Sequence, residues 1–189
     1  MASKHSFPAP VLLVFAGPNG SGKSTVTSRL PVLGVYVNAD DLKKEHGLTD
    51  LEAAQQADAL RNTLLEGRQS FSFETVLSTE RNLLVMQRAK DLGYEVQCVY
   101  VLTSNASINV ARVRMRVSSG GHNVPEDKIR SRYHKALALL PEVIAAADKI
   151  VIYDNTEDPT PIFKKDGLHT EIYPSKYWSA ESIRNLTER

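Results

Sequence analysis

The sequence predicts an α/β fold, a three-layer sandwich with a mainly parallel five-stranded sheet, followed by a small C-terminal hairpin and helix. Three observations predict this fold class. Five short apolar runs recur along the chain, stretches with helical periodicity separate them, and a glycine-rich loop joins the first run to the first helix. Helices that alternate with apolar strands indicate right-handed crossovers, and hence parallel strands covered on both faces.

The predicted strands are continuous apolar runs, as expected for strands buried on both faces. They span residues 11–16, 34–38, 71–74, 94–102 and 149–153. The helical periodicity lies in residues 23–30, 50–68, 79–92, 105–117 and 125–147. Thr49 with Asp50 can cap the second helix, Gly93 ends the third, and Pro125 suits the first turn of the last one.

The ends of the chain differ from this alternating pattern. Residues 157–189 form a C-terminal appendage, in which Asp166-Gly167 between two short alternating runs predicts a hairpin over residues 163–172. Residues 174–189 are expected to form a short helix, and residues 1–10 form an N-terminal tail. Because there is no internal repeat or linker, residues 1–189 are expected to form a single domain.

Composition narrows the function classes. The hydrophobic share of 42%, the charged share of 24% and the formal charge of +1 are typical of a soluble globular protein. A chain without a basic field is not expected to bind nucleic acid. The single cysteine, Cys98, lies in an apolar run and is expected in the core. The apolar stretch after the N-terminus is too short for a signal peptide or a membrane span, so we expect a cytoplasmic protein with no membrane contact.

The glycine-rich loop is the strongest functional signal. Residues 17–24 read Gly-Pro-Asn-Gly-Ser-Gly-Lys-Ser, which is the P-loop pattern, and a chance match in a chain of this length has a probability on the order of one per cent. The glycines allow backbone N–H groups to surround a phosphate at the start of a helix. Lys23 should reach the β- and γ-phosphates, and Ser24 should offer its hydroxyl to Mg²⁺. The loop therefore predicts binding of ATP or GTP with Mg²⁺.

Polar residues that follow the second and third strands are candidates for a second substrate, since ligands of open α/β sheets bind beyond the carboxyl ends of the strands. Asp40 is placed either to accept the proton of a substrate hydroxyl or to cap a helix, and Asp41 is the better candidate cap. Glu74 and Thr75, with Thr79 close behind, are placed to hold substrate hydroxyls. Two other roles are open for Glu74: it could help to order the metal, or it could be a solvated residue at the end of a strand.

Five arginines lie around the Gly120-Gly121 pair, in a segment that we call the arginine-rich lid region (residues 112–132). A mobile basic segment can neutralise the charge of a transferred phosphoryl group and exclude water, whereas each arginine alone is equally compatible with a solvated helix. Arg112 and Arg116 share one helix face, and Arg114 falls on another. His122 is expected to be a loop residue without a catalytic role, and no group of His, Cys and Asp has the spacing of a structural or catalytic metal site.

The end of the last strand is open to two interpretations. Asp154 either backs the Mg²⁺ or, with Asn155 and Thr156, borders the nucleobase; we favour the second.

Taken together, these motifs resemble the zeta-toxin family, in particular its short stand-alone branch. The resemblance covers roughly residues 11–156 and depends on several motifs in order: Ala16-Gly-Pro-Asn-Gly-Ser-Gly-Lys-Ser-Thr25, Asn38-Ala-Asp40, Phe73-Glu-Thr75, residues 112–116, Gly120-Gly-His-Asn-Val-Pro125 and Arg132-Tyr133. The combination is more specific than the P-loop alone, which many kinases share.

The resemblance implies a P-loop kinase-like fold and an enzyme that phosphorylates the 3′-hydroxyl of the amino sugar in UDP-N-acetylglucosamine, with an antitoxin as protein partner. It implies that Asp40 is the catalytic base, Lys23 the phosphate-binding lysine, Glu74 a substrate-site glutamate, and Arg116 and Arg132 the lid arginines. The full nucleotide site is expected to comprise Gly17, Pro18, Asn19, Gly20, Ser21, Gly22, Lys23, Ser24, Thr25, Arg112 and Asn155. The acceptor site is expected to comprise Asp40, Glu74, Thr75 and Thr79.

Two alternatives remain open from the sequence. One is a kinase for another nucleotide-type or nucleoside substrate, and the other is a regulatory nucleotide-binding switch that acts through a protein partner. The switch leaves the combination of Asp40, Glu74 and the lid arginines without a shared role.

Overall fold

A computed structural model describes residues 8–188 of the chain, so residues 1–7 of the predicted tail and residue 189 lie outside the described residues. The strands are β1 (Val11–Ala16), β2 (Val35–Val37), β3 (Phe71–Thr75), β4 (Glu95–Leu102), β5 (Lys149–Asp154), β6 (Thr160–Asp166) and β7 (His169–Ile172). The helices are α1 (Lys23–Thr27), α2 (Ala39–His46), α3 (Asp50–Glu66), α4 (Glu80–Asp91), α5 (Ala106–Ser118), α6 (Glu126–Ala138), α7 (Leu140–Ala146) and α8 (Ala180–Thr187). Within this range no helix is both long and apolar enough to cross a membrane.

The described strands form one sheet in the order β2-β3-β1-β4-β5-β6-β7. The first five strands in this order are parallel, which confirms the predicted five-stranded parallel sheet. The predicted hairpin is also present, but it extends the sheet, because β6 pairs antiparallel with β5 and β7 with β6. The carboxyl ends of the parallel strands therefore meet at one edge, where Ala16 lies opposite Thr75 and Leu102 opposite Asp154.

The main core lies between one face of the sheet and four helices, α3, α4, α7 and α8. Phe71, Phe73 and Tyr100 are among its largest fully buried side chains, and Cys98 is buried there as expected. Leu13 and Phe15 alternate with the β1 residues of this core and are also buried, and α1 contacts β1 and β4. Since successive side chains of a strand point to opposite faces, both faces of the sheet are covered near β1, in accord with the predicted three-layer sandwich.

A smaller cluster holds the arginine-rich lid region in place. Val110 and Val113 of α5 pack with Val124 and with Ile129 of α6, separately from the main core. The hydroxyl of Tyr133 on α6 donates to the carbonyl of Thr103 at 2.6 Å, at the carboxyl edge of β4. The lid region is thus two helices packed on each other, with the loop of residues 119–125 between them.

Some helix boundaries differ from the prediction. The helix expected over residues 125–147 is two helices, α6 and α7, that meet at Leu139. Pro141 lies in the first turn of α7, where its missing N–H costs nothing, whereas inside a continuous helix it would remove a hydrogen bond. Helix α1 ends at Thr27 rather than at residue 30, and α8 is shorter than the predicted stretch of residues 174–189.

The sequence indicated helix α2 only through its candidate caps, Asp40 and the preferred Asp41, and neither of them is the cap. The N-cap of α2 is Asn38, whose side chain accepts from the N–H of Asp40 at 2.9 Å, and Gly47 ends the helix with φ of 65°. Asp40 and Asp41 both lie in the first turn, where a carboxylate is favourable near the positive end of the helix dipole. The capping role of Asn38 leaves the carboxylate of Asp40 available for other contacts.

Candidate active site

The P-loop connects β1 to α1 at the carboxyl edge of the sheet, and neighbouring backbone packs closely against its glycines. Gly17, Gly20 and Gly22 have φ of 144°, 78° and 85°, a range that L-residues with a side chain rarely adopt. A Cβ at Gly20 would lie 2.4 Å from the carbonyl oxygen of Asn109, and one at Gly22 would lie 2.1 Å from Nδ2 of Asn155. Both the conformation and the contacts therefore require glycine.

Lys23 is the first residue of α1, and only 9% of its surface is exposed. Its ammonium donates to the carbonyl of Gly17 at 2.8 Å and to that of Pro18 at 3.4 Å, and lies 3.7 Å from Oε1 of Glu74. Burial lowers the pKa of Lys23, the carboxylate of Glu74 opposes this shift, and the charge of Arg116 adds to it. The ammonium thus contacts carbonyl oxygens of the P-loop and lies close to the carboxylate of Glu74.

A cleft of about 240 Å³, which we call the phosphate cleft, lies beside the P-loop. Its lining comprises Gly20, Gly22, Lys23, Ser24, Thr25, Glu74, Arg112, Val113 and Arg116. The hydroxyl of Ser24 is exposed and makes no hydrogen bond to any residue that the structure describes. A free hydroxyl beside a phosphate site is the ligand expected for Mg²⁺, so the residues present fit this metal. Groups of three or more His, Cys, Asp or Glu able to hold a metal are absent from residues 8–188.

A second cleft of about 400 Å³, which we call the acceptor cleft, adjoins the first. Its functional lining includes Asn19, Asp40, Thr75, Arg132 and His122, and four residues, Gly20, Lys23, Glu74 and Arg116, line both clefts. The two clefts thus meet at a lysine, a carboxylate and an arginine. A group bound in one cleft would be adjacent to a group bound in the other at this point.

Asp40 lines the acceptor cleft from the first turn of α2. Its carboxylate has no hydrogen-bond or ion-pair partner among the described residues, because the capping contact at this end of α2 uses only its backbone N–H. An ionised carboxylate without a protein partner can accept a proton from a ligand hydroxyl. Asp41, its neighbour in sequence, is exposed and lines neither cleft.

Glu74 is oriented by a residue that the sequence did not indicate. The hydroxyl of Tyr36 on β2 donates to Oε2 of Glu74 at 3.4 Å and accepts from Nδ2 of Asn38 at 3.3 Å. Burial and the nearby Glu74 carboxylate raise the pKa of Tyr36. A tyrosine in a short apolar strand carries no signal of this contact.

The two predicted threonines differ in position. Thr75 lines the acceptor cleft, and its hydroxyl accepts from the backbone N–H of Leu77 at 3.0 Å and from the side-chain amide of Asn82 at 2.7 Å. Thr79 occupies the N-cap position of α4, is exposed, and lines neither cleft. The structure therefore does not bring Thr79 together with the other candidate residues.

The arginines divide into two groups. The first group, Arg112, Arg116 and Arg132, faces the clefts. Arg112 donates to the carbonyls of Ser21 at 3.4 Å and Thr156 at 3.2 Å. Arg116 donates to the carbonyl of His122 at 3.0 Å, and Arg132 to Oδ1 of Asn19 at 3.2 Å. The other two, Arg114 and Arg130, form exposed ion pairs with Glu126 at 2.6 Å and 2.8 Å. The predicted separation of Arg114 from Arg112 and Arg116 is thus present.

The end of β5 contacts the P-loop through Asn155 and not through Asp154. The buried amide of Asn155 donates to the carbonyl of Ser21 at 2.8 Å. The carboxylate of Asp154 accepts from the backbone N–H and hydroxyl of Thr156 and is not among the residues that line the phosphate cleft. The interpretation of Asp154 as a residue behind the metal therefore finds no geometric support.

A third cleft of about 640 Å³ continues from the acceptor cleft towards the end of α2 and the lid loop. Lys43, Lys44 and Arg116 line it, together with Asp40 and His122. Lys43 is paired with Asp50 at 2.6 Å, whereas Lys44 and Arg116 have no acidic partner within the described part of the chain. Even with Lys43 neutralised by Asp50, the two remaining cations outnumber the carboxylate of Asp40, so the cleft carries net positive charge.

Comparison with known proteins gives a family and a fold. The family described as Zeta toxin matches residues 1–167. An uncharacterized protein of Haemophilus influenzae is 31% identical over 127 residues, which is 64% of this chain and 91% of that protein.

Two solved structures share the fold. One is from the PezAT chromosomal toxin–antitoxin system of Streptococcus pneumoniae, with a TM-score of 0.61, 18% identity, and coverage of 84% of this chain and 72% of that chain. The other is a chain of the AvrRxo1-ORF1:AvrRxo1-ORF2 complex with sulphate ions, with a TM-score of 0.73, 17% identity, and coverage of 94% of this chain and 63% of that chain. A further structure of the latter complex contains ATP and has a TM-score of 0.72. This chain thus spans less than two thirds of the matched chain of that complex.

Proposed function

The chain belongs to the zeta-toxin family, and from this membership we propose that it is an ATP-dependent kinase that transfers the γ-phosphoryl group to a hydroxyl of a small molecule. Family membership supports kinase activity. The observation that carries the proposal is that the phosphate cleft and the acceptor cleft meet at Lys23, Glu74 and Arg116. A phosphoryl group held by the P-loop would be adjacent there to an acceptor bound in the second cleft.

In this proposal the P-loop holds the triphosphate. Its N–H groups and the start of α1 stabilise the phosphate charge, and the ammonium of Lys23 contacts the β- and γ-phosphates. Ser24 is the residue that would hold Mg²⁺, which when bound neutralises charge on the phosphates. Binding of ATP agrees with the ATP present in the related AvrRxo1-ORF1:AvrRxo1-ORF2 structure.

Asp40 is the proposed catalytic base. Its unpaired carboxylate accepts the proton of the acceptor hydroxyl as that oxygen attacks the γ-phosphorus and the bond to the β-phosphate oxygen breaks, leaving ADP. Negative charge on the transferred group is neutralised by Lys23, Arg116 and Arg132, which line the acceptor cleft from three different elements. Glu74, oriented by Tyr36, is placed to accept a hydrogen bond from a second hydroxyl of the acceptor.

We propose a UDP-N-acetylhexosamine as the acceptor. The zeta-toxin resemblance suggests it, and the third cleft supports an acceptor with an anionic extension. A sugar placed beside Asp40 would leave its diphosphate near Lys43, Lys44 and Arg116, the cations that line this cleft. Because ATP and a UDP-linked sugar are both found in the cytoplasm, we propose that the reaction takes place there.

An antitoxin is the proposed protein partner. The related structure from Streptococcus pneumoniae belongs to a toxin–antitoxin system, and the chain belongs to a toxin family. A partner that covers either of the two adjoining clefts would block the reaction.

The proposal is tested by incubating the protein with Mg-ATP and a metabolite extract, and then with purified UDP-N-acetylglucosamine. Mass spectrometry should detect an acceptor that gains one phosphate together with an equal amount of ADP, and the Lys23→Ala variant should give neither. ADP without any phosphorylated product would contradict the kinase and favour a nucleotide-binding switch. Phosphorylation of a different metabolite would overturn only the sugar nucleotide.

A further inference from the structure

The backbone of the P-loop is held from outside by two buried asparagines. Nδ2 of Asn109, on α5, donates to the carbonyl of Asn19 at 2.7 Å, and Nδ2 of Asn155, after β5, donates to the carbonyl of Ser21 at 2.8 Å. Asn109 is fully buried, and Asn155 is 4% exposed. Two side-chain amides from different elements thus contact alternate carbonyls of one loop, and the guanidinium of Arg112 also donates to that of Ser21, at 3.4 Å.

The orientation of the Asn109 amide is fixed by a second contact. Its Oδ1 accepts from the hydroxyl of Thr103, at the carboxyl end of β4. With the oxygen occupied, the NH₂ group is the part of the side chain that faces the loop. A buried NH₂ group is stable only when it finds an acceptor, so the carbonyl of Asn19 is drawn towards α5.

These contacts decide which way the loop backbone points. The two asparagines bind the carbonyls of Asn19 and Ser21 from outside the loop. By contrast, the backbone N–H groups of Gly20, Gly22, Lys23 and Ser24 have no acceptor among residues 8–188. A carbonyl shares its peptide plane with the N–H of the next residue, so the outward carbonyls of Asn19 and Ser21 leave the N–H groups of Gly20 and Gly22 pointing into the phosphate cleft.

We propose that Asn109 and Asn155 are positioning residues that hold the P-loop in its phosphate-binding shape. They do not touch the nucleotide in this role; they act through the carbonyls of Asn19 and Ser21. The inference rests on the proposed function in so far as the loop binds nucleotide phosphates. Its chemical consequence is specific: the asparagines contribute to the affinity for phosphate groups and not to that for the nucleoside.

The test uses Asn109→Leu and Asn155→Leu, which keep a similar side-chain size and remove the NH₂ donor without adding charge next to the phosphate cleft. Asn105→Ser is the matched control, because Asn105 caps α5 by accepting from the N–H of Ser107 at 2.7 Å, and serine caps equally well. The control removes a side-chain amide next to the helix of Asn109 without loss of a contact to the P-loop.

Dissociation constants for ADP and for adenosine should be measured by calorimetry, together with thermal unfolding without ligand. We expect each of the two variants to bind ADP about tenfold more weakly, the loss expected for one buried hydrogen bond, and to bind adenosine as the wild type does. The control should bind both ligands normally.

Three outcomes decide the question. Normal ADP affinity in a folded variant would overturn the inference, because the loop would then hold its shape without the amide. Loss of folding, or an equal loss of ADP and adenosine affinity, would also overturn it and assign the asparagines to general stability. If the wild-type protein itself fails to bind ADP, the proposed function fails, and this result is distinct from the other two.

Discussion

The ammonium of Lys23 lies 3.7 Å from Oε1 of Glu74. Lys23 begins the helix that follows β1, and Glu74 lies on β3, the strand that pairs with β1. Burial of Lys23 favours its neutral form, and the carboxylate of Glu74 favours the charged form. The charge proposed to contact the phosphates is therefore stabilised by a residue that also lines the acceptor cleft. This coupling has a measurable dependence on pH.

Affinity for ATP should fall at alkaline pH, and Glu74→Gln should move this fall to lower pH. The pKa of Lys23 is below its ordinary value of 10.5, so the ammonium loses its proton as pH rises through the lowered pKa. Removing the Glu74 carboxylate lowers that pKa further. ATP titrations from neutral pH upward measure the effect, with Glu66→Gln, an exposed partner of Arg88, as control. An unmoved or higher midpoint in Glu74→Gln would contradict the coupling.

Loss of the lysine itself should be more severe. We expect Lys23→Ala to weaken ATP binding by roughly 10- to 100-fold, the cost of a charge-assisted contact, and to remove detectable phosphoryl transfer. Lys128→Ala, an exposed lysine on α6, is the control and should behave as the wild type. Kinase activity that survives Lys23→Ala would show that the P-loop is not the phosphate site.

Arg116 should matter for the transferred group more than for ATP binding. Arg116→Ala is expected to lower kcat by at least about 100-fold while changing ATP affinity little, because charge develops on the phosphoryl group only during transfer. Arg114→Ala, two residues away on the same helix, breaks only an exposed ion pair with Glu126 and should leave kcat unchanged. Equal effects of the two variants would assign Arg116 to the solvated surface.

Gly22→Ala tests how closely the P-loop is packed. Its φ of 85° costs about 1–2 kcal/mol for an L-residue, and its Cβ would lie 2.1 Å from Nδ2 of Asn155, so the loop must shift. Gly167→Ala has the same kind of backbone cost, with φ of 59° and nothing within 4 Å of the added Cβ. Thermal unfolding should show destabilisation in both variants, and calorimetry should show lost ATP affinity in Gly22→Ala alone. Normal ATP affinity in Gly22→Ala would contradict the packing described for this loop.

The parts of the fold that could be predicted are those with a local signal. Apolar runs predicted the five parallel strands, and the P-loop pattern correctly placed Gly17 to Ser24 from the end of β1 into the first turn of α1. Apolar periodicity did not reveal helix α2, because this helix has no buried residue and hence no apolar stripe. Its start was assigned to Asp41, although Asn38 before two acidic residues is a usable start signal.

The parts of the site that could not be predicted depend on contacts between distant residues. Asn109 is a polar residue in an amphipathic helix, where its burial against Asn19 leaves no trace in the local sequence. The same holds for Tyr36, which reads as an ordinary strand residue but orients Glu74. The division of the lid arginines was partly visible from helical spacing, whereas the role of Glu126 in pairing with Arg114 and Arg130 was not.

The central claim is that Asp40 activates an acceptor where the two clefts meet, and the rate of phosphoryl transfer in Asp40→Asn relative to Asp41→Asn tests it most directly. The two variants differ by one position on α2, but only Asp40 lines the acceptor cleft. We predict that Asp40→Asn lowers the single-turnover rate by at least about 100-fold with unchanged ATP affinity, and that Asp41→Asn retains the wild-type rate. Undiminished transfer in Asp40→Asn would contradict the account.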